Sequence, residues 1–184
     1  MNKVYAIIGP PASGKTSIVK KLREYGIPVL ISHTTRPPKP DEKDGVDYYF
    51  VDKQTFEKMN FIEMVNYAEQ LYGLTKEEVL KKANIHPVSV VDIDLSGFEK
   101  LKKLLGDRLE LIYNFVDQDT IINRYLLQGE DYATIKHRIE YAEANGEFNN
   151  WEVADYVVKN SGPLIVTVRQ ILAIMDLVSL KIPE

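Results

Sequence analysis

At 184 residues, 45% of them apolar, the chain has the length of one domain and enough apolar material for a sizeable core. A formal net charge of −4 and a pI near 5.5 exclude a nucleic-acid or membrane-surface binder held by bulk electrostatics, so any anion site has to be a local cluster of cations. With no cysteine there is neither a disulfide framework nor a thiolate metal site, the three histidines are too scattered for a metal centre, and no run reads as a signal peptide or membrane span, so the expected location is cytoplasmic.

Val4 to Ile8 is a continuous apolar run, the pattern of a strand covered on both faces. From Ser13 the spacing turns helical, with Ile18, Val19 and Leu22 on one side. A short strand is predicted at Pro28–Ile31, and β-forming residues return at Tyr48–Val51. Helices follow over Lys53–Met59 and Lys76–Lys82, then an apolar strand over Pro87–Ile93, a helix over Leu95–Leu105 and a strand over Leu109–Val116. Helical spacing covers residues 118–126 and 133–144, with the polar "QGED" of 128–131 as a hinge between them. A strand at Tyr156–Val158 precedes a helix over Leu164–Leu180. Strands alternating with helices give an α/β fold, a parallel sheet flanked by helices on both faces, with residues 33–86 inserted into it.

Between the first strand and the first helix stands "GPPASGKTS", which satisfies GxxxxGK[ST] in the context the motif requires. Gly9 and Gly14 allow the tight turn, and the backbone from Pro10, Pro11, Ala12 and Ser13 on to Ser17 wraps the phosphates at a helix N-terminus. Lys15 reaches the β and γ oxygens, and the Thr16 hydroxyl is placed to ligate Mg2+. A nucleoside triphosphate site follows. The loop says nothing of the acceptor, because motors, GTPases and small-molecule kinases all carry one.

The acceptor has to be read from "SHTTRPPKPDEKDGVDYYF", residues 32–50, which has neither strand alternation nor helical spacing and crowds cations, acids and aromatics between prolines. This stretch resembles the acceptor-binding segment of guanylate kinases. "FIEMVNYAEQLYG" (61–73) and "VDIDLSG" (91–97) resemble two further segments of that family, in the same order along nearly the whole chain. The resemblance implies the P-loop NTPase fold: a core of residues 1–32, 87–123 and 146–184, a GMP-binding insertion at 33–86 and a helical lid at 124–145. It implies Mg2+-dependent, in-line transfer of the γ-phosphoryl group of ATP to GMP, and to dGMP. The implied partners are small-molecule nucleotides, not nucleic acid or membrane, and the implied state is a monomer or homodimer.

The resemblance also implies roles by position. Arg36 and Lys39 hold the acceptor phosphate, Tyr48 and Tyr72 bond it from either side, and Glu42 supports the loop. Ser32, Glu63 and Asp94 surround the guanine, where a carboxylate suits the ring N–H and the exocyclic amine because both are donors; adenine would leave Glu63 unpaired. Asp92 acts with Thr16 on Mg2+ or its waters, Arg124 and Arg138 are lid cations that close over the migrating phosphoryl group, and Asn160 contacts the donor base.

Plainer roles stand beside these: Asp92 and Asp94 as caps of the next helix, Tyr48 and Tyr72 as packing, Glu63 as an exposed strand residue, Arg124 and Arg138 as a solvated helix face. Four positions depart from the family. Lys39 stands for an arginine and keeps the charge without the bidentate fork, Gln128 removes a lid cation, and Asp41 replaces a turn glycine. Leu74 replaces a hydroxyl that reaches the base, with the neighbouring Thr75 as a potential substitute. Other acceptors, a different nucleotide or a sugar phosphate, and a non-catalytic phosphopeptide-binding module are the competing readings.

Overall fold

The computed structural model describes residues 1–67 and 69–177. Its centre is β1 (Lys3–Ile8), every residue of which after Lys3 is buried. Alternation sorts that strand between two faces: Val4, Ala6 and Ile8 enter one apolar cluster with Val91, Leu101 and Leu111, while Tyr5 and Ile7 enter another with Ile18, Leu22, Val90 and Ile171. A strand with cores on both sides has to read as an unbroken apolar run, which is what the sequence presents.

β1 pairs in parallel with β6 (Val88–Asp92) on one side and β7 (Leu109–Phe115) on the other, and β7 pairs in parallel with β8 (Tyr156–Lys159). The sheet order is β6-β1-β7-β8. Helices α1 (Lys15–Glu24) and α7 (Leu164–Ile174) cover the Tyr5 face, while α3 (Lys76–Ile85) and α4 (Leu95–Leu105) cover the Val4 face. This is the α/β arrangement expected of the sequence.

A second sheet, β3-β2-β5-β4, comes from the inserted residues: β2 (His33–Thr34), β3 (Tyr49–Phe50), β4 (Phe61–Tyr67) and β5 (Gln70–Thr75), with the short helix α2 (Lys53–Glu57) between β3 and β4. The β4–β5 hairpin and the two-residue β2 are strands the sequence reading omits. The hairpin's register shifts between Phe61 and Glu63, so the alternation that marks a strand is broken, and Glu69, just ahead of β5, adopts φ 63 without a glycine. Helices α5 (Gln118–Leu127) and α6 (Tyr132–Ala144) meet at Gly129, φ 81, inside the "QGED" hinge, and share a small cluster of Val116, Ile121, Tyr125 and Ile135.

Two expected elements change extent, and one turn is added. Pro28–Ile31 forms a single bridge, Val29 to Val90, instead of a strand; Pro28 accepts from Val90 N–H but has no N–H to give. The final helix stops at Ile174, after which Asp176 turns left-handed at φ 56, and the expected continuation over 178–180 lies outside the described residues. Residues 147–153 form a 3-10 turn that periodicity did not reveal.

Candidate active site

Helices α2 to α6 are each capped by a side chain, Asp52, Thr75, Asp94, Asp117 and Asp131 in turn, which accepts the N–H three residues on. Helix α1 is different: its cap is Gly14, left-handed at φ 94, which has no side chain to spend on those N–H groups. The N-terminus of α1 is therefore left to an external anion. The loop ahead of it is tightly seated, since a Cβ on Gly9 would lie 2.7 Å from the Asn114 carbonyl oxygen and one on Gly14 2.8 Å from Asn160 Nδ2. Pro10 and Pro11 stiffen its entry, and Ala12 adopts φ 54.

Lys15 Nζ donates to the carbonyls of Gly9 (2.8 Å) and Pro10 (3.2 Å), so its ammonium lies inside the loop. Burial pushes its pKa down, while Asp92, Glu147 and Asp94 oppose that shift. Thr16 Oγ1 donates to Asp92 Oδ2 at 3.0 Å. The Asp92 carboxyl is pushed up by burial and pulled back by Lys15 and by the Thr16 hydroxyl. A hydroxyl and a carboxylate oxygen this close are a hard-oxygen pair suited to Mg2+, which commonly takes one or two protein ligands beside substrate phosphates. Among the described residues no group of three or more acids or histidines competes for a metal.

From this point cavities extend in several directions. A donor-side cavity of about 380 Å3 lies along Ala12 to Ser17 with Arg124, Gln128 and Asn160. An acceptor-side cavity of about 430 Å3 shares Thr16 with it and carries Arg36, Lys39, Glu42, Tyr48, Tyr72 and Asp92. Deeper still, a recess of about 50 Å3 is bordered by Ser32, Glu63, Leu74 and Asp92. Thr16 and Asp92 thus stand where donor and acceptor spaces meet.

In the acceptor cavity Arg36 and Glu42 form a bidentate pair, Nη1 to Oε2 and Nη2 to Oε1, both 2.9 Å. The pair raises the Arg36 pKa, and the same hydrogen bonds, with one from the Lys39 backbone N–H, lower that of Glu42 to about 2. The guanidinium lies 5.6 Å from the Tyr48 ring and 5.9 Å from Phe50, and Tyr48 meets Tyr72 edge-on at 5.9 Å. The prolines and this ion pair together fix a loop that has no periodic structure of its own. Lys20 and Arg23 of α1, one and two turns beyond Thr16, border the same cavity; helical spacing from Thr16 was the signal that could have found them.

The recess depends on the hairpin's irregularity. With the register shift Glu63 faces Leu74 and Val65 faces Tyr72, which turns all four side chains into the recess. Glu63 Oε2 is buried without a partner, and burial, with the Asp94 charge adding to it, raises the Glu63 pKa to about 7. Asp94 caps α4, accepting from Gly97 N–H at 2.7 Å, so the plainer role weighed for it is filled while it still lies beside Glu63. Thr75 is on the opposite side of the hairpin, capping α3 with its hydroxyl, so it does not stand in for the hydroxyl that Leu74 displaces.

Arg124 is committed to the loop, donating to the carbonyls of Ala12 (2.9 Å), Ser13 (2.8 Å) and Asn160 (2.6 Å). Asn160 is buried, donates to Ser13 O (2.8 Å) and accepts from Thr167. Arg138 is elsewhere: it pairs with Glu130 at 2.9 Å and lies over the Tyr125 ring at 5.0 Å, within the α5–α6 pair. Asn114, fully buried on β7, was not among the expected site residues, although a lone amide in the apolar run "LELIYNFV" has to be bonded to something.

A parallel sheet whose first strand delivers a phosphate loop, abutting a second-substrate cavity built on an inserted sheet, defines a phosphotransferase of the P-loop kinase class. The family model described as "Guanylate kinase" matches residues 1–162. A guanylate kinase of Legionella pneumophila (strain Paris) is 32% identical over 163 residues, spanning 85% of this chain and 78% of the relative. Among solved structures, the guanylate kinase of Anaplasma phagocytophilum superposes with TM-score 0.68 at 22% identity over 95% of this chain and 85% of its own. A gluconokinase from Sinorhizobium meliloti reaches 0.52 at 17% identity, over 95% and 91%. The chain belongs to the guanylate kinase family and is a nucleotide-binding kinase.

Proposed function

We propose that the chain transfers the γ-phosphoryl group of ATP to GMP, and to dGMP, giving the diphosphate and ADP. One observation carries the acceptor assignment: a buried, unpartnered Glu63 carboxylate oxygen lies in a recess that shares Ser32, Tyr72 and Asp92 with the cavity reaching Thr16 of the phosphate loop. A carboxylate there takes the adjacent ring N–H and exocyclic amine of guanine, and leaves adenine's ring acceptor unpaired. Ser32 borders the same recess, while the Arg36 and Lys39 cations with Tyr48 and Tyr72 receive the phosphate.

Phosphoryl transfer asks for positioning and charge more than for covalent chemistry. Lys15 draws charge from the migrating group, Arg36 aligns the acceptor phosphate, and Arg124 braces the loop that holds the donor. The lid, residues 124–145, brings Arg138 in by closure about Gly129 and excludes the water that would otherwise take the phosphoryl group. Thr16 and Asp92 are the residues that would hold Mg2+, which supplies charge neutralisation at the phosphates. A gluconokinase shares this fold, and Leu74 in the recess is the feature that favours a broader acceptor range.

The test is ADP formation from ATP with GMP, dGMP, AMP, UMP, CMP, TMP and a sugar phosphate offered in turn. The expected result is a guanine preference of about a hundredfold or more over AMP. A clear preference for any other acceptor overturns the assignment, and no turnover with any of them, joined to phosphopeptide binding, points to a non-catalytic module.

A further inference from the structure

The Ser13 carbonyl oxygen, in the middle of the phosphate loop, receives three donors, each at 2.8 Å: Asn114 Nδ2, Arg124 Nη1 and Asn160 Nδ2. A carbonyl oxygen has two lone pairs, so this convergence exceeds what satisfying a buried acceptor requires. Its geometric effect is on the next residue. In a trans peptide the C=O and the following N–H point in opposite directions, so a Ser13 carbonyl drawn into the protein turns the Gly14 N–H outward, toward the anion position at the start of α1. The helix's own ladder begins with Ile18 N–H on Gly14 O at 3.0 Å, which leaves the N–H groups ahead of it for a ligand.

The three donors are not equivalent. Arg124 stems from α5, at the root of the lid, and Asn160 follows the edge strand β8; the two are tied to each other at 2.6 Å. Asn114 alone of the three belongs to an inner strand of the core sheet, with Ile112 and Tyr113 beside it almost wholly buried. It also touches the loop's first residue, since its carbonyl oxygen and Cβ occupy the space over Gly9 that a side chain there would need. Asn114 therefore references both the entry of the loop and its central peptide to the most rigid part of the molecule.

We propose that Asn114 is a positioning residue for the donor phosphates: its carboxamide, delivered by β7, holds the Ser13 carbonyl inward and so aims the Gly14 N–H at the phosphate chain. The proposal rests on the reading of this loop as the triphosphate site and is independent of which acceptor is used. Asn114 touches no substrate and acts only through the peptide it orients.

Two variants of the full chain test it. Asn114→Leu keeps the branched outline and removes the donor; the expected result is an ADP dissociation constant and an ATP KM raised about tenfold, with the GMP KM changed by less than about twofold. Asn114→Asp sets a carboxylate against the carbonyl oxygen and weakens ADP binding further at pH 8. Lowering the pH restores that binding, because the protonated carboxyl recovers an O–H donor that leucine never has. The Asp variant measured at two pH values decides the matter on one protein even where the Leu variant fails to fold. Wild-type ADP binding with either variant unaltered, or a parallel rise of donor and acceptor KM with a lowered Tm, overturns the proposal alone. A wild-type chain that binds no ADP overturns the triphosphate reading and this one with it.

Discussion

The donor and acceptor halves of the site are built in opposite ways. The phosphate loop grows directly out of the buried strand β1 and is tied by side chains from β7, α5 and the turn after β8, so its shape is over-determined by the core. The acceptor side stands on a sheet two of whose strands are two residues long, and its loop is held by the Arg36–Glu42 pair, a longer Arg23–Asp47 pair at 3.6 Å and a few aromatic edges. A triphosphate chain is the same in every donor, and a pre-shaped nest suits it. An acceptor has to be admitted, recognised by its base and released, and a lightly braced platform with an unspent carboxylate suits that cycle better.

Removing Lys15 attacks the over-determined half at its charge. Lys15→Ala is expected to lower turnover by about a thousandfold or more with the fold intact, measured as ADP release under saturating substrates; a loss under tenfold would contradict the role given to this ammonium. On the acceptor half the loss should appear in affinity. Glu63→Gln should raise the GMP KM about a hundredfold and leave the ATP KM alone, because an amide presents one acceptor where the base offers two donors. A shared rise in both KM values would erase the contrast between the halves. Glu42→Gln, which frees Arg36 from its fork, is the smallest of the three: about a tenfold rise in GMP KM with kcat nearly kept.

Acidity separates the halves further. The Glu63 pKa of about 7 lies above the ordinary 4.5, and on the proposed pose only the ionised form offers an acceptor to each of guanine's two donors. The efficiency kcat/KM for GMP should therefore fall about tenfold per unit as pH drops below about 7 and level off above it, while Glu63→Gln abolishes that inflection. In folding the sign is reversed: the native state binds the Glu63 proton more tightly than the unfolded chain, so this group's contribution to stability declines as pH rises from 4.5 toward about 7.

Sequence and structure agree best where one physical rule governs a segment. The apolar run of β1 and the spacing of Ile18 and Leu22 on α1 report burial directly, and the phosphate loop is legible because its glycines and Lys15 stand in one contiguous motif. The acceptor half follows several rules at once. Its hairpin escaped periodicity because the register shift that carries Glu63 into the recess also disrupts the alternation, so the feature that makes the site hides the strand. Arg138 was legible as a cation but not in its placement, which depends on Glu130 and Tyr125 across the hinge. Asn114 lies far from any motif, and only the fold brings it to the loop, whereas Lys20, one turn beyond Thr16, was within reach of helical spacing.

Gly97 opens α4, and a Cβ built there would stand 1.7 Å from Glu63 Oε2, so the carboxylate's seat is carved out of a neighbouring helix by the absence of a methyl group. On the proposed assignment, base recognition depends on two separated places that have to be inherited together. In a lineage drifting from guanine, the first step need not be the loss of the acid: an alanine at Gly97 would evict the carboxylate from its niche while every residue facing the ligand remained unchanged.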